Sequence, residues 1–136
     1  MKTIIFFKNL DPKDWGKKVT AKWTVKDVLS HLVGWEREVT LELPKSFRLN
    51  RQPWFMLTDK YNNFNEKIYK EYKNYSPTSL LKELKKWEVK LEKEIKKIGK
   101  NKIKKTPDMD WVFDEGDEPH FEHHIQQIKK ALKIKP

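Results

Sequence analysis

Residues 23–43 read WTVKDVLSHLVGWEREVTLEL, and this stretch decides the fold. Thr24 is the type of residue that starts a helix, because its hydroxyl accepts from a free amide of the first turn. After it, Val25, Val28, Leu29, Leu32, Glu36 and Val39 recur at helical spacings. That periodicity predicts an amphipathic helix with one face on a core. His31 and Trp35 lie at the edge of the apolar stripe. Pro44 is expected to end the helix, since proline lacks an amide donor and crowds the preceding turn.

Further helices follow. Residues 45–57 read as a loop carrying Pro53 and Trp54. Thr58 is then a candidate cap for a helix with Leu57, Tyr61, Phe64, Ile68 and Tyr72 on one side; Asn62, Asn63 and Asn65 lower its helical propensity. Ser76-Pro77 is an N-cap with proline at the first helical position. Leu80, Leu84, Trp87, Leu91, Ile95 and Ile98 form the seam of the next helix, and Gly99 supplies its stop. Residues 100–117 read as a polar loop. A last helix begins near Asp117-Glu118-Pro119, with Phe121, Ile125, Ile128 and Leu132 facing the core. Its stripe lapses at Ile134 and Lys135, so the end is expected to fray. The first segment, MKTIIFFKNLDPKDW, has room for about two or three turns before Asp11-Pro12. A bundle of full-length helices needs more. Either this helix is a stub, or another subunit covers the groove it leaves, or the chain start lies further upstream. The only β-rich run is Ile4-Ile5-Phe6-Phe7. The expected fold is therefore all-α, a single domain over residues 1–136 with a shortened N-terminal helix.

Composition narrows the function. The chain has 136 residues and six Trp, enough for one core. It has no Cys, hence no disulfide, thiolate ligand or thiol nucleophile. No apolar run is long enough to cross a bilayer, and the N-terminus lacks the features of a secretory signal. A cytoplasmic protein with no membrane partner is expected. The net charge of +10 raises the question of nucleic acid. The basic residues, however, are spread along the chain, and only Arg37, Arg48 and Arg51 are arginines. Arginine is the preferred residue for bidentate phosphate contacts. The densest run, KKIGKNKIKK at 96–105, falls at a helix end, where the macrodipole favours lysine. A solvated basic surface is expected, and no nucleic-acid partner.

The chain has four histidines: His31, His120, His123 and His124. His120 and His124 are one turn apart in HFEHHIQQI and share a helix face. His123 points elsewhere. With His31 from the earlier helix, the pair can supply three nitrogen ligands to a divalent transition metal and leave one position open. That arrangement suits a catalytic ion, because structural sites are closed by four protein ligands. A lone histidine beside an apolar stripe is more often a satisfied boundary residue; the combination carries the signal. Coordination requires neutral rings, and the positive end of the helix that begins near His120 favours them. Asp117 and Glu118 act in the opposite sense. Glu122 lacks the spacing of a metalloprotease general base and is expected to be solvated. Glu36 falls on the apolar stripe but is rotated well away from His31. It reads first as a buried hydrogen-bonding residue and only second as a catalytic base. Asn62 and Asn65 read as exposed helix residues before pocket residues.

At these residues the chain resembles the DinB-like superfamily. KWTVKDVLSHLVGWERE is similar to that group's second-helix signature, LDPKDWGKKV to the end of its first helix, and HFEHHIQQI to its last-helix motif. DKYNNFNEKIYKEYKNYSPTSLLKELKKW resembles the ClbS/DfsB-like branch. The likeness spans nearly the whole chain. It implies a DinB-like four-helix bundle, with the metal triad of the YfiT-type enzymes falling on His31, His120 and His124. A homodimer is expected. The metal is expected to be zinc or nickel, between which imidazole ligands do not discriminate. The function implied is a metal-dependent hydrolase acting on a small molecule, or a transferase using a low-molecular-weight thiol. The ClbS/DfsB-like branch need not use metal, so the alternative is a metal-free small-molecule binding or protective protein. A structural domain whose histidines are a relic is the third reading.

Overall fold

Thr24 starts the longest helix, α2 (Val25–Leu49), in the computed structural model, which describes residues 2–57, 60–115 and 119–134. Its cap is reciprocal. The Thr24 hydroxyl accepts from the Asp27 amide at 3.2 Å, and the Asp27 carboxylate accepts from the Thr24 amide at 3.0 Å. The remaining helices are α1 (Lys2–Lys8), α3 (Lys60–Tyr72), α4 (Pro77–Ile98), α5 (Lys100–Lys105) and α6 (His120–Ala131). Among the described residues there is no strand, only one isolated bridge between Lys18 and Thr24. The fold is all-α. The β-rich run at residues 4–7 lies inside α1, where Ile4 and Phe7 are buried and Ile5 is exposed.

The long helices α2, α3, α4 and α6 surround a common core. α2 packs chiefly on α4, and Leu29, Leu32 and Leu43 of α2 and Leu80, Leu84 and Trp87 of α4 are all buried in the common core. Ser76 caps α4 and Gly99 ends it with a positive φ, as the sequence predicts. Between α2 and α3 the backbones come close at Gly34. A methyl group there would collide with the buried Ile68 side chain. Glu38, also buried, accepts from the Trp54 indole at 2.9 Å and pairs with Arg37, which reaches on to Glu71 and the Tyr72 hydroxyl. This network fastens the segment after α2 and the end of α3 to α2.

Two expectations are corrected here. α2 does not stop at Pro44. It runs five residues further and ends at Asn50, whose left-handed backbone returns its amide to the Ser46 carbonyl. Leu43 and Ser46 are fully buried and Phe47 packs against the core. Burial of that last turn outweighs the roughly 3 kcal/mol that an interior proline costs. Residues 100–117 are also not simply a polar loop. They carry α5 and a 3-10 turn at Asp110–Val112, and Ile103, Met109, Trp111 and Val112 enter the core. The spacing of these four side chains has no helical period, which hides them from a periodicity reading. The N-terminal helix is short, at 7 residues. The last helix ends at Ala131, and Lys133 takes a positive φ. Thr58, the proposed cap of α3, lies outside the described residues, as do Asp117, Glu118 and Lys135 and the side chains of Tyr61 and Asn62.

Candidate metal centre

His31 lies in the second turn of α2 and is 4 % exposed. His120 and His124 occupy the first and second turns of α6. The start of α6 is held from outside the helix. The Asp114 carboxylate accepts from the His120 amide at 2.6 Å and from the Phe121 amide at 3.2 Å. These are two of the amides that no carbonyl within the helix can reach. Asp114 therefore fixes the point from which the His120 side chain departs.

The three rings meet. His120 Nε2 stands 3.0 Å from His31 Nε2 and 3.1 Å from His124 Nε2. One nitrogen from each ring falls within 4.8 Å of the other two. Tetrahedral zinc holds imidazole nitrogens at about 2.0–2.1 Å, which sets neighbouring ligand nitrogens about 3.3 Å apart. The two separations from His120 are close to that value. His123, by contrast, stays outside the cluster on the same helix, its ring 5.4 Å from that of His124.

Aromatic rings enclose the cluster. Trp23 lies 5.0 Å from His31 and 6.3 Å from His124 between ring centres, Trp35 lies 5.1 Å from His120, and Phe64 meets His31 edge-on at 6.1 Å. This apolar enclosure keeps the imidazoles neutral. Burial pushes His31 well below its usual value, and the neighbouring His120 and His124 add to the effect. Burial lowers His120 to about 3, with help from His124 and His123. His124 is lowered by burial too, although its hydrogen bond to Gln127 opposes the shift. Neutral rings are the ligating form.

The donor set fits a divalent cation on its own hydrogen-bonding terms. A neutral imidazole has one N–H and one lone pair. Protons on Nε2 would point at one another, and lone pairs on Nε2 would repel. A single shared proton satisfies only one of the two close contacts. A cation at the common point satisfies all three nitrogens at once.

Two cavities flank the cluster. One, of about 870 Å³, is lined by Thr20, Ala21, Lys22, Trp23, Asn65, Glu66 and Tyr69. The other, of about 430 Å³, brings His120 together with Trp35, Glu36 and Asp114. Glu36 is half-buried there. Its carboxyl makes no hydrogen bond with any described residue. Burial raises it to about 8, with Glu88 and Asp114 adding repulsion. Glu122 is exposed and bonds to Gln126 at 2.7 Å, as expected of a solvated residue. Sequence reading did not find the roles of Asp114 and Trp23. Asp114 caps α6 from six residues upstream, outside any local capping pattern, and Trp23 reaches the cluster only through the fold.

No family model, no curated protein and no solved structure matches this chain. No helix among the described residues is long and apolar enough to cross a membrane.

Proposed function

We propose that this chain is a DinB-like metal-dependent enzyme, in which His31, His120 and His124 hold a divalent transition metal and a small molecule is hydrolysed beside it. The observation that carries the reading is the convergence of three Nε2 atoms at 3.0 and 3.1 Å from two separate helices. Three protein nitrogens leave a coordination position for substrate or water, the hallmark of catalytic rather than structural zinc sites. Held by these residues, such an ion would lower the pKa of a water to about 7 and so would supply a nucleophile at neutral pH. The chain's own residues do the rest. Trp23, Trp35 and Phe64 exclude bulk water from the rings. Glu36, whose carboxyl burial raises to about 8 in the cleft that His120 also lines, is the candidate donor of a proton to a leaving group. The same open position suits the sulfur of a low-molecular-weight thiol, and the transferase reading is kept on that ground.

A metal-free binding protein is the second reading. What favours it is the cavity of about 870 Å³, whose volume falls in the range of ordinary small-molecule sites. Activated aryl esters separate the two. Metal-loaded protein is expected to hydrolyse them with a rate that rises through about pH 7, and chelated protein or the His120→Ala variant is expected to lose that activity. Equal rates with and without metal would defeat the enzyme reading.

A further inference from the structure

Three buried polar atoms at or beside the cluster lack partners, His31 Nδ1, His120 Nδ1 and Asn65 Oδ1, and the first and last are complementary. His31 Nδ1 and Asn65 Oδ1 are both shielded from water, and neither makes a hydrogen bond within geometric limits. Leaving either unsatisfied costs about 1–3 kcal/mol. Asn65 nevertheless lies near enough to influence the His31 imidazole, in the sense opposite to that of its burial. The helices bring them together. His31 lies on α2 and Asn65 on α3, and three residues further along each helix Gly34 abuts Ile68. The missing side chain at Gly34 is what lets the two backbones approach.

We infer that Asn65 is a positioning residue for the metal centre: its Oδ1 accepts the Nδ1 proton of His31, which commits the His31 Nε2 lone pair to the cluster, while its amide nitrogen serves as a hydrogen-bond donor to a ligand in the adjoining cavity. A ring nitrogen that donates to a carbonyl oxygen fixes both the tautomer and the orientation of a ligating histidine. The second half follows from where Asn65 sits. It lines the cavity of about 870 Å³ together with Trp23, and Trp23 packs on His31. Its Oδ1 is buried, while the residue as a whole is only half-buried and lines the cavity. With Oδ1 turned inward to His31, the amide protons face the cavity wall. A ligand accepted there carries an acceptor oxygen, such as a carbonyl, beside an apolar portion that stacks on Trp23 or Tyr69. One side chain thus links the ligand cavity to the ring that it orients.

This inference rests on the metal-centre reading only for its affinity arm, and the tests separate the two. Long-range proton–nitrogen correlation spectra of the metal-free, 15N-labelled full chain report the tautomer of His31 directly. The expected pattern is a protonated Nδ1 and a bare Nε2. Asn65→Leu should redistribute His31 between tautomers, and Asn65→Asp, which keeps the acceptor oxygen, should restore the original pattern. In zinc competition titrations, Asn65→Leu should weaken binding by about 10- to 100-fold, and Asn65→Asp should recover most of it. A His31 protonated at Nε2 in the unaltered protein would overturn the inference without any variant. So would a tautomer unchanged in Asn65→Leu that remains folded by circular dichroism. Should zinc fail to bind even the unaltered protein while the Nδ1 tautomer is present, the metal reading falls and the hydrogen bond stands.

Discussion

Replacing Glu36 with glutamine should remove a pH-dependent loss of stability whose size follows from its surroundings. The carboxyl sits half-buried between α2 and the 108–115 segment, without a hydrogen bond from any described residue, and burial raises it from 4.5 to about 8. Its folded pKa lies above its unfolded one, so the folded state holds the proton more tightly. Below about pH 4.5 both states are protonated and the site costs nothing extra. Between about 4.5 and 8 the unfolded chain ionises while the folded chain does not, and stability falls as pH rises. Each pKa unit corresponds to about 1.36 kcal/mol, which bounds the loss at about 5 kcal/mol. Partial exposure to water trims this to roughly 2–4 kcal/mol. The three clustered histidines act with the opposite sign. Their folded pKa values are lowered, so their contribution is present above about pH 6.5 and is lost as pH falls. Urea unfolding of metal-free protein and of Glu36→Gln from pH 5 to 9 isolates the carboxyl by difference. The variant's relative stability should climb steadily over that range and level off above about pH 8. A difference that stays flat with pH would refute the placement of this carboxyl in an apolar cleft.

Two further outcomes test the packing that positions the site. Gly34→Ala should cost about 1–3 kcal/mol in urea unfolding, because the added methyl meets the buried Ile68 side chain; the cost should shrink when Ile68 is also replaced by alanine, and an equal cost in both backgrounds would deny the close approach of α2 and α3. Asp114→Ala removes the acceptor for the His120 and Phe121 amides. It should cost about 1 kcal/mol and raise amide hydrogen exchange at the start of α6, whereas unchanged exchange there would place the anchor of α6 elsewhere.

Much of this architecture is legible in the chain because it is written in periodic side chains and local caps. Thr24, Ser76-Pro77 and Gly99 mark helix ends through interactions spanning a few residues, and all three do so in the structure. The H-x3-H spacing places His120 and His124 on one face for the same local reason, and the apolar stripe of α2 places His31 at its inner edge. What escapes is non-local. The continuation of α2 past Pro44 depends on burial of Leu43, Ser46 and Phe47 by other segments. Ile103, Met109, Trp111 and Val112 enter the core from an aperiodic stretch. Glu36, expected as a hydrogen-bonded residue, makes no hydrogen bond with any described residue, and the two carboxylates that share its cleft are engaged elsewhere. Asp114 caps α6, and Glu115 pairs with Lys104 at 3.4 Å.

The central claim is that three imidazoles from two helices share one cation, and metal content measures it directly. Protein purified without a histidine tag and analysed for elements should carry close to one transition-metal ion per chain, and His31→Ala and His124→Ala should each lose most of it while remaining folded. Near-stoichiometric metal in both variants, or none in the unaltered protein after exposure to zinc and nickel, would contradict the account.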